Sequence, residues 1–444
     1  MKTVFIAGAG RSSTALINHL LDQSHRLGLK VVVGDASLDL AATKCGGHPN
    51  AQPVLFDAHD ETLRNTLVSE ADVVVSLMPP DMHHLLVESC ITHRKHFVSA
   101  SYVSPKVAGM ESLAMENNVM IISECGLDPG IDHMSAMEII HRLQTKGAQL
   151  ISFKSYTGGL VAPESNDNPW GYKFSWNPRN VVLAGQGTAS YLWDGKVKHT
   201  PYSRIFTDIE TMEVENLGRF DGYANRDSIS YRKIYGLEGV SGLLRGTLRQ
   251  RGYCRAWSVF VTLGLTDDGI HIPDSATMTY AEFVESFIPQ HIKGETLVHR
   301  VAALCGLPVD GEAMTLVQWT GIFEDNAIGL SNATPAQVLQ KLLESKWVLQ
   351  SEDKDMIVML HEFTFELDGH RKRLSASLVV KGEDAVHTAM AKTVGLPLAI
   401  TALKILDGTI QLPGGLYIPV MKEIYEPVLR ELKQHGIDFS EKTH

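Results

Sequence analysis

The sequence has few cysteines, and they do not occur at metal-binding spacings. Among 444 residues there are five cysteines, an odd number with no C-x-x-C pair. They are Cys45, Cys90, Cys125, Cys254 and Cys305. The sequence therefore predicts neither a disulfide framework nor a cysteine zinc site, and no metal is expected. We expect reduced thiols in a cytoplasmic protein.

Clustered basic residues and long apolar runs are also scarce. The formal charge is −11, and no cluster of five or six Lys and Arg occurs, so we expect no nucleic-acid partner. We find no apolar run near the roughly 18 residues of a membrane helix. The N-terminal apolar stretch enters a turn after about six residues, too few for a signal-peptide core. A cytoplasmic protein that acts on a small molecule, with no membrane partner, is expected.

Apolar, β-branched runs alternate with helical patterns over roughly the first 125 residues. These runs include TVFIAG, KVVVGD, ADVVVS, HFVSAS and NVMIIS. Strands that are apolar at nearly every position predict a parallel sheet covered on both faces. The fold class is therefore α/β, with a doubly wound, Rossmann-type domain over residues 1–130.

A change in pattern after residue 130 predicts a second, α+β domain over residues 131–384. TDIETMEVENLG and RAWSVFVTLGL look like strands, whereas helical periodicity prevails at about 275–347 and indicates a helical insert. The final segment, 385–444, contains an apolar helix that we expect to be interrupted at Gly395 to Pro397 and packed against the rest.

A dinucleotide-binding motif follows the first strand. The segment has the GxGxxG spacing with Ser13 in the third position, and its predicted cofactor-binding residues are Gly8, Ala9, Gly10, Arg11 and Ser12. The glycines permit a tight turn and close approach of a pyrophosphate to a helix N-terminus. Ser76 and Leu77 end the fourth strand at the same predicted edge, where an ordinary strand end is the alternative.

Asp35 ends the second predicted strand, where a carboxylate can bind the adenosine ribose. Two like charges about 4 Å apart repel by about 4 kcal/mol at an effective dielectric near 20, so Asp35 predicts NAD as the preferred cofactor, with NADP as the alternative if Asp35 turns away. The other interpretation is that Asp35 caps the next helix.

Longer segments resemble the saccharopine reductases, the L-glutamate-forming saccharopine dehydrogenases of lysine metabolism. In chain order the similar segments are SASYVSP, ECGLDPGIDH, SYTGGLVAPESNDNPWGYKFSW, ANRDS, RGTLRQRGY, KDMIVMLHEF and AMAKTVGLPLAITALKILDGTI. The resemblance covers almost the whole chain and weakens in the insert. It implies that segment 385–444 completes the Rossmann domain, that the second domain binds substrate and forms a homodimer, and that the substrates are saccharopine, glutamate and aminoadipate semialdehyde.

The resemblance also implies roles for individual residues. The implied substrate contacts are Ser101, Tyr102, Arg226, Thr247, Leu248 and Arg249. The implied cofactor loop consists of Leu127, Asp128, Pro129, Gly130 and Ile131. One departure is that SYCGG of the family reads SYTGG here, so Thr157 stands where a cysteine is expected.

The chemistry of saccharopine accounts for these residue types. Its three carboxylates suit the arginines, and Lys173 is a further candidate cation. Loss of water from a carbinolamine needs a group that donates and accepts a proton, and Asp128 and Tyr102 are the catalytic candidates. The alternative for Asp128 is that it only caps the helix that follows. His133 is a weaker catalytic candidate, because a histidine at the start of a helix more often has a structural role.

Two other functions remain open at this point. A carboxynorspermidine dehydrogenase-like enzyme would share the fold, but its polyamine substrate would need acidic pocket walls. A catalytically silent NAD(P)-binding sensor is the second, because Thr157 replaces the expected cysteine. The aromatic run from Trp170 to Trp176 suits either a core or a cleft wall.

Overall fold

The computed structural model describes residues 1–444, which form 16 strands and 17 α-helices. The strands are β1 (Lys2–Ala7), β2 (Leu29–Asp35), β3 (Ala51–Leu55), β4 (Val73–Ser76), β5 (His96–Ser99), β6 (Met120–Ile122), β7 (Gln149–Val161), β8 (Ala189–Trp193), β9 (Lys196–Thr200), β10 (Ile209–Val214), β11 (Gly218–Ala224), β12 (Gly242–Gln250), β13 (Asp355–Leu367), β14 (His370–Lys381), β15 (Gly415–Tyr417) and β16 (Ser440–Thr443).

The helices fill most of the connections between strands. They are α1 (Thr14–Leu27), α2 (Leu38–Cys45), α3 (Glu61–Glu70), α4 (His83–His93), α5 (Pro105–Ala108), α6 (Glu111–Glu116), α7 (Ile131–Thr145), α8 (Pro178–Val182), α9 (Tyr202–Ile205), α10 (Tyr231–Ile234), α11 (Tyr253–Leu263), α12 (Tyr280–Glu285), α13 (Leu297–Cys305), α14 (Glu312–Trp319), α15 (Pro335–Lys346), α16 (Ala389–Leu406) and α17 (Lys422–Gln434).

The chain divides into two compact units. The first comprises residues 1–150, 366–372 and 378–442, and the second comprises residues 151–365, 373–377 and 443–444. The first unit thus includes α7, and its boundary lies near residue 150 where the sequence suggested 130.

The first unit contains a seven-stranded parallel sheet in the order β15-β6-β5-β4-β1-β2-β3. Strands β1 to β6 therefore follow the 3-2-1-4-5-6 order of doubly wound dinucleotide-binding folds. The strands are apolar at nearly every position because helices cover both faces, and Val4, Val31 and Val73 are fully or almost fully buried. The predicted fold class is confirmed, and β15 is an additional strand that the sequence did not predict.

Helix α16 runs without a break through Gly395 and Pro397, so the predicted interruption is wrong. Pro397 removes only one backbone hydrogen-bond donor from the helix, and the close packing of α16 on α1 offsets that loss. The two helices are so close at Gly395 that a Cβ there would lie 2.6 Å from the Leu16 backbone N. By length and composition α16 is also apolar enough to cross a membrane, contrary to our expectation from the sequence, and 78% of it is buried inside the protein.

The second unit is built on a mixed sheet. Its order is β10-β11-β12-β7-β13-β14-β16, with β8 pairing with β12 and β9 with β8. Strands β12 and β7 are parallel, whereas β10, β11 and β12 pair antiparallel. Helices α12 to α15 lie between residues 280 and 346, within the predicted insert.

RAWSVFVTLGL is helical, so its prediction as a strand is wrong. Residues 255–263 of this segment lie in α11, which is flanked by Gly252 and Gly264, both in left-handed conformations. Its β-branched residues favour a strand locally, but Cys254, Trp257 and Phe260 recur at helical spacing and are buried. Packing of that face therefore overrides the local preference.

The aromatic run starting at Trp170 belongs to the core of the second unit. Trp170, Tyr172 and Phe174 are at most 4% exposed and pack with Trp257 and Trp347. Of the two interpretations, the structure supports the core.

We predict that Gly395→Ala destabilises the first unit. In an exposed helix this change stabilises by up to about 1 kcal/mol, but here the new Cβ would contact the α1 backbone, and overpacking typically costs about 1–3 kcal/mol. The urea midpoint should fall. Gly239→Ala, with no atom within 4 Å of its Cβ position, is the control, and a higher midpoint for Gly395→Ala would contradict the described packing.

Candidate active site

The loop after β1 is fixed by a close backbone contact. Gly8 has φ 108°, and a Cβ there would lie 3.1 Å from the carbonyl carbon and oxygen of Leu77. Leu77 itself donates its backbone N–H to the Ala7 carbonyl at 2.8 Å. A residue with a Cβ at position 8 would be strained by the positive φ and would crowd the Leu77 carbonyl. Glycine therefore lets the ends of β1 and β4 meet closely at the carboxyl edge.

The second glycine of the motif faces open space. A Cβ on Gly10 would meet no atom within 4 Å, and residues 11–13 form a 3-10 turn that leads directly into α1. Ser13 is fully buried and its hydroxyl donates to the Gly10 carbonyl at 2.8 Å. A small third residue is thus accommodated, and the residues fit a pyrophosphate beside the start of α1.

Asp35 supports the loop with both carboxylate oxygens. Oδ2 accepts from the Ala9 backbone N–H at 2.8 Å, and Oδ1 accepts from that of Ser37 at 2.9 Å. The cap of α2 is the Ser37 hydroxyl, which accepts from the Leu40 N–H, so Asp35 is not the helix cap. Because both carboxylate oxygens of Asp35 already accept hydrogen bonds from backbone N–H groups, this carboxylate is less able to repel a 2′-phosphate. The preference for NAD over NADP predicted from the sequence is therefore weaker.

A buried histidine joins the ends of β4 and β5. His83 Nδ1 lies 2.9 Å from Ser76 Oγ, and its Nε2 lies 2.7 Å from Ser101 Oγ. Burial lowers the pKa of His83 to about 4, with a smaller opposing effect from Asp81. Sequence reasoning missed this residue, and its position at the start of α4, just after a strand end, is the signal that could have found it.

Tyr102 and Asp128 are brought together from the loops after β5 and β6. The tyrosine hydroxyl donates to Asp128 Oδ1 at 3.0 Å. Asp128 is not the cap of α7, because Gly130 occupies that position without a side-chain cap and donates its N–H to Asp132 Oδ1 at 2.6 Å. Asp128 is half-buried, and its carboxylate is hydrogen-bonded to a tyrosine hydroxyl, a group that can exchange protons.

The loop that carries Asp128 is closed by its own backbone. The Gly126 N–H donates to the Pro129 carbonyl, and the Ile131 N–H donates to the Gly126 carbonyl, both at 2.9 Å. Gly130 has φ 147°, and a Cβ there would overlap the Gly126 carbonyl. Leu127 is 5% exposed and anchors the loop in the core.

His133 occupies a structural setting. It is fully buried, and its Nε2 lies 2.9 Å from Glu124 Oε2. The other oxygen of Glu124 accepts from the Val103 N–H at 3.2 Å. This pair ties the loop after β5 to α7 and so supports Tyr102 and Asp128.

Two of the predicted substrate residues of the second unit, Thr247 and Leu248, lie on β12. Thr247 on β12 pairs with Thr157 on β7. Thr157 is 7% exposed, and its hydroxyl has no hydrogen-bond partner. Leu248 is fully buried, so its side chain is core.

Arg249 and Arg226 differ in setting. Arg249 is 4% exposed, and its guanidinium lies 5.4 Å from the ring centres of Tyr172 and Tyr253. Its Nη1 donates to the Leu248 carbonyl at 3.3 Å, and its Nε makes no hydrogen bond. Arg226 is exposed in the loop after β11 with φ 52°.

Lys173 is already neutralised by carboxylates. Its Nζ lies 2.6 Å from Asp353 Oδ2 and 2.9 Å from Asp167 Oδ1. A cation with two such partners has little capacity left for a substrate carboxylate, so the structure gives no support to Lys173 as a substrate cation.

The strand order and the glycine loop define the class: a dinucleotide-binding protein with a Rossmann-type domain. Two family models match the chain, the saccharopine dehydrogenase NADP binding domain over residues 4–122 and the saccharopine dehydrogenase C-terminal domain over residues 126–437. The chain belongs to the saccharopine dehydrogenase family, as the resemblance predicted.

Relatives of two lengths match the whole chain. It is 36% identical to the mitochondrial alpha-aminoadipic semialdehyde synthase of Bos taurus and spans about half (48%) of that protein. It is 32% identical to the NADP(+), L-glutamate-forming saccharopine dehydrogenase of Pyricularia oryzae and covers 99% of it. The apo saccharopine dehydrogenase (L-Glu forming) of Saccharomyces cerevisiae has the same fold, with a TM-score of 0.89, 30% identity and full coverage of both chains.

The names of the matched family domain and of the fungal relative specify a cofactor. The matched family domain is described as NADP binding, and the fungal relative is named for NADP(+). The N-terminal domain is therefore an NADP-binding domain by family, and the comparisons do not support the preference for NAD predicted from Asp35.

We predict that His83→Gln flattens the dependence of stability on pH. The folded pKa of about 4 lies below the unfolded value of 6.5, so protonation favours the unfolded state. The contribution of neutral His83 to the free energy of unfolding is complete above pH 6.5. It is lost as the pH falls towards 4, by at most about 1.4 kcal/mol per pH unit. Urea midpoints at pH 7 and pH 5 should differ less in the variant. The exposed His59→Gln is the control, and an unchanged difference in His83→Gln would refute the buried neutral ring.

Proposed function

We propose that this protein is an L-glutamate-forming saccharopine dehydrogenase that uses NADP(H). The observation that carries the proposal is the Tyr102–Asp128 hydrogen bond at the carboxyl edge of the sheet that also bears the dinucleotide loop. The names of the relatives supply the substrate class.

The proposed reaction oxidises the C–N bond on the aminoadipate side of saccharopine. When bound, the dinucleotide accepts the hydride from the carbon next to the nitrogen. Addition of water to the resulting imine, and cleavage of the carbinolamine, release glutamate and aminoadipate semialdehyde. In the opposite direction the same steps join the two.

Proton transfer is the role proposed for Asp128. Its carboxylate would take a proton from the water that attacks the imine carbon and return a proton to the nitrogen as glutamate leaves. Tyr102 donates to Oδ1 at 3.0 Å and so orients the carboxylate. Ser101, held by His83, would contact the substrate beside this pair.

Recognition of the substrate carboxylates is proposed for arginines of the second unit. Arg249 is a buried guanidinium that lies beside Tyr172, Tyr253 and the Leu248 carbonyl, and its Nε makes no hydrogen bond. A buried charge in that setting gains from an anionic ligand. Arg226 and Thr247 are the other proposed contacts, and a polyamine substrate would not match these cations.

NADP(H) is proposed over NAD(H) because Asp35 is engaged by backbone donors at Ala9 and Ser37. A carboxylate in that position is less able to repel a 2′-phosphate than one directed at the ribose. The homodimer and the cytoplasmic location expected from the sequence remain predictions.

The direct test is a steady-state assay with purified full-length protein. Saccharopine is supplied with NADP+ or NAD+, and reduced nicotinamide is followed at its absorption band, with glutamate quantified as product. Turnover with NADP+ that is at least about tenfold more efficient supports the proposal. NADPH binding without turnover would favour the silent sensor, and preference for NAD+ would restore the expectation from Asp35.

We predict that Asp128→Asn lowers kcat by about 10²- to 10⁴-fold, the range for loss of a general acid–base group. The affinity for NADPH should change little, since the amide keeps the shape of the side chain. Tyr102→Phe should lower kcat less, and the exposed Asp39→Asn is the matched control. An Asp128→Asn enzyme as fast as the parent would remove Asp128 from the mechanism.

A further inference from the structure

A second polar cluster lies in the first unit, away from the carboxyl edge of its sheet. It borders a cavity of about 550 Å³ whose lining includes Lys2 and Leu29, at the amino ends of β1 and β2. The cluster consists of His19 on α1, Glu431 on α17 and His435 just after α17. The proposed reaction uses none of these residues.

The three side chains converge on one point. One ligand atom from each, two imidazole nitrogens and one carboxylate oxygen, lie within 4.8 Å of one another. The rings of His19 and His435 are 5.0 Å apart at their centres and nearly perpendicular. Helix α17 ends at Gln434 and Gly436 has φ 76°, so His435 lies where the backbone leaves the helix.

His19 is the most informative member of the cluster. It is 5% exposed, yet its Nε2 is buried without a hydrogen-bond partner. Glu431 Oε1 lies 3.5 Å away, within the range of an ion pair but not in the geometry of a hydrogen bond. A buried imidazole nitrogen that lacks a partner costs free energy unless a ligand binds it.

The basic residues around the cluster each have a partner. Lys404 Nζ lies 2.8 Å from Glu431 Oε2, which leaves Oε1 on the side of His19. The other cations that line the cavity have partners of their own: Lys2 bonds to the Leu406 carbonyl and Arg26 bonds to Gln23.

We infer that His19, Glu431 and His435 form a binding site for one divalent transition-metal ion such as Zn²⁺. Two imidazoles and a carboxylate are a common zinc donor set, with water as the fourth ligand. Zinc holds such atoms at about 2.0–2.2 Å, hence about 3.5 Å from one another, so the ligand atoms must approach by roughly 1 Å. Bound metal would join the end of α17 to α1 and so fasten the C-terminal segment to the dinucleotide-binding unit.

This inference does not depend on the proposed function. The cysteine pattern gave no indication of it, because the ligands are histidines and a glutamate separated by about 400 residues of sequence.

The test is a metal titration of untagged, chelator-treated full-length protein. Calorimetry with Zn²⁺, and the visible absorption of Co²⁺ as a geometry-sensitive probe, should give one equivalent of bound metal. His19→Gln and His435→Gln should each weaken binding at least about tenfold, since loss of even an outer-sphere partner typically costs 10- to 100-fold. His25→Gln, an exposed histidine also on α1, should bind like the parent.

The thermal midpoint provides a second readout. Zn²⁺ should raise it in the parent and in His25→Gln but not in the two ligand variants. His435→Gln keeps the test decisive if His19→Gln does not fold, because His435 is half-buried at a helix end. No stoichiometric binding by the parent, or equal affinity in all variants, would overturn the inference.

Discussion

The close approach of the β1 and β4 ends is the constraint on which the rest of the site depends. Gly8 can pass the Leu77 carbonyl only because it lacks a Cβ, and the carboxylate of Asp35 then holds the next N–H, that of Ala9. These contacts leave Gly10 facing open space at the start of α1. The dinucleotide loop is therefore shaped by the packing of backbone on backbone, before any ligand binds.

The parallel sheet extends that constraint to the neighbouring strands. Because parallel strands end at one edge, β4, β5 and β6 deliver Ser76, Ser101 and Asp128 to the same side of the unit as the glycine loop. Buried His83 links the first two, and Tyr102 contacts the third. A neutral buried histidine and a hydrogen-bonded carboxylate, held on short loops, make a site that can position a proton donor next to a cofactor.

Much of this arrangement could be predicted from the sequence. Apolar runs gave the parallel strands, and the motif spacing gave the loop. Other features depend on contacts between distant residues, which local patterns do not record. Helix α11 has strand-forming residues but a helical buried face, and α16 continues through Pro397 because Gly395 packs on α1. The partner of Asp35 is a backbone N–H that a ribose argument could not anticipate, and neither His83 nor the His19 cluster forms a motif.

The most direct measurement is the affinity for NADPH of Gly10→Val beside the parent, by calorimetry, with the urea midpoint measured on both. A side chain at residue 10 meets no protein atom within 4 Å, so the account predicts an unchanged midpoint and an affinity at least about tenfold weaker, equivalent to about 1.4 kcal/mol. Equal affinity in the two proteins would show that the dinucleotide does not lie across this loop.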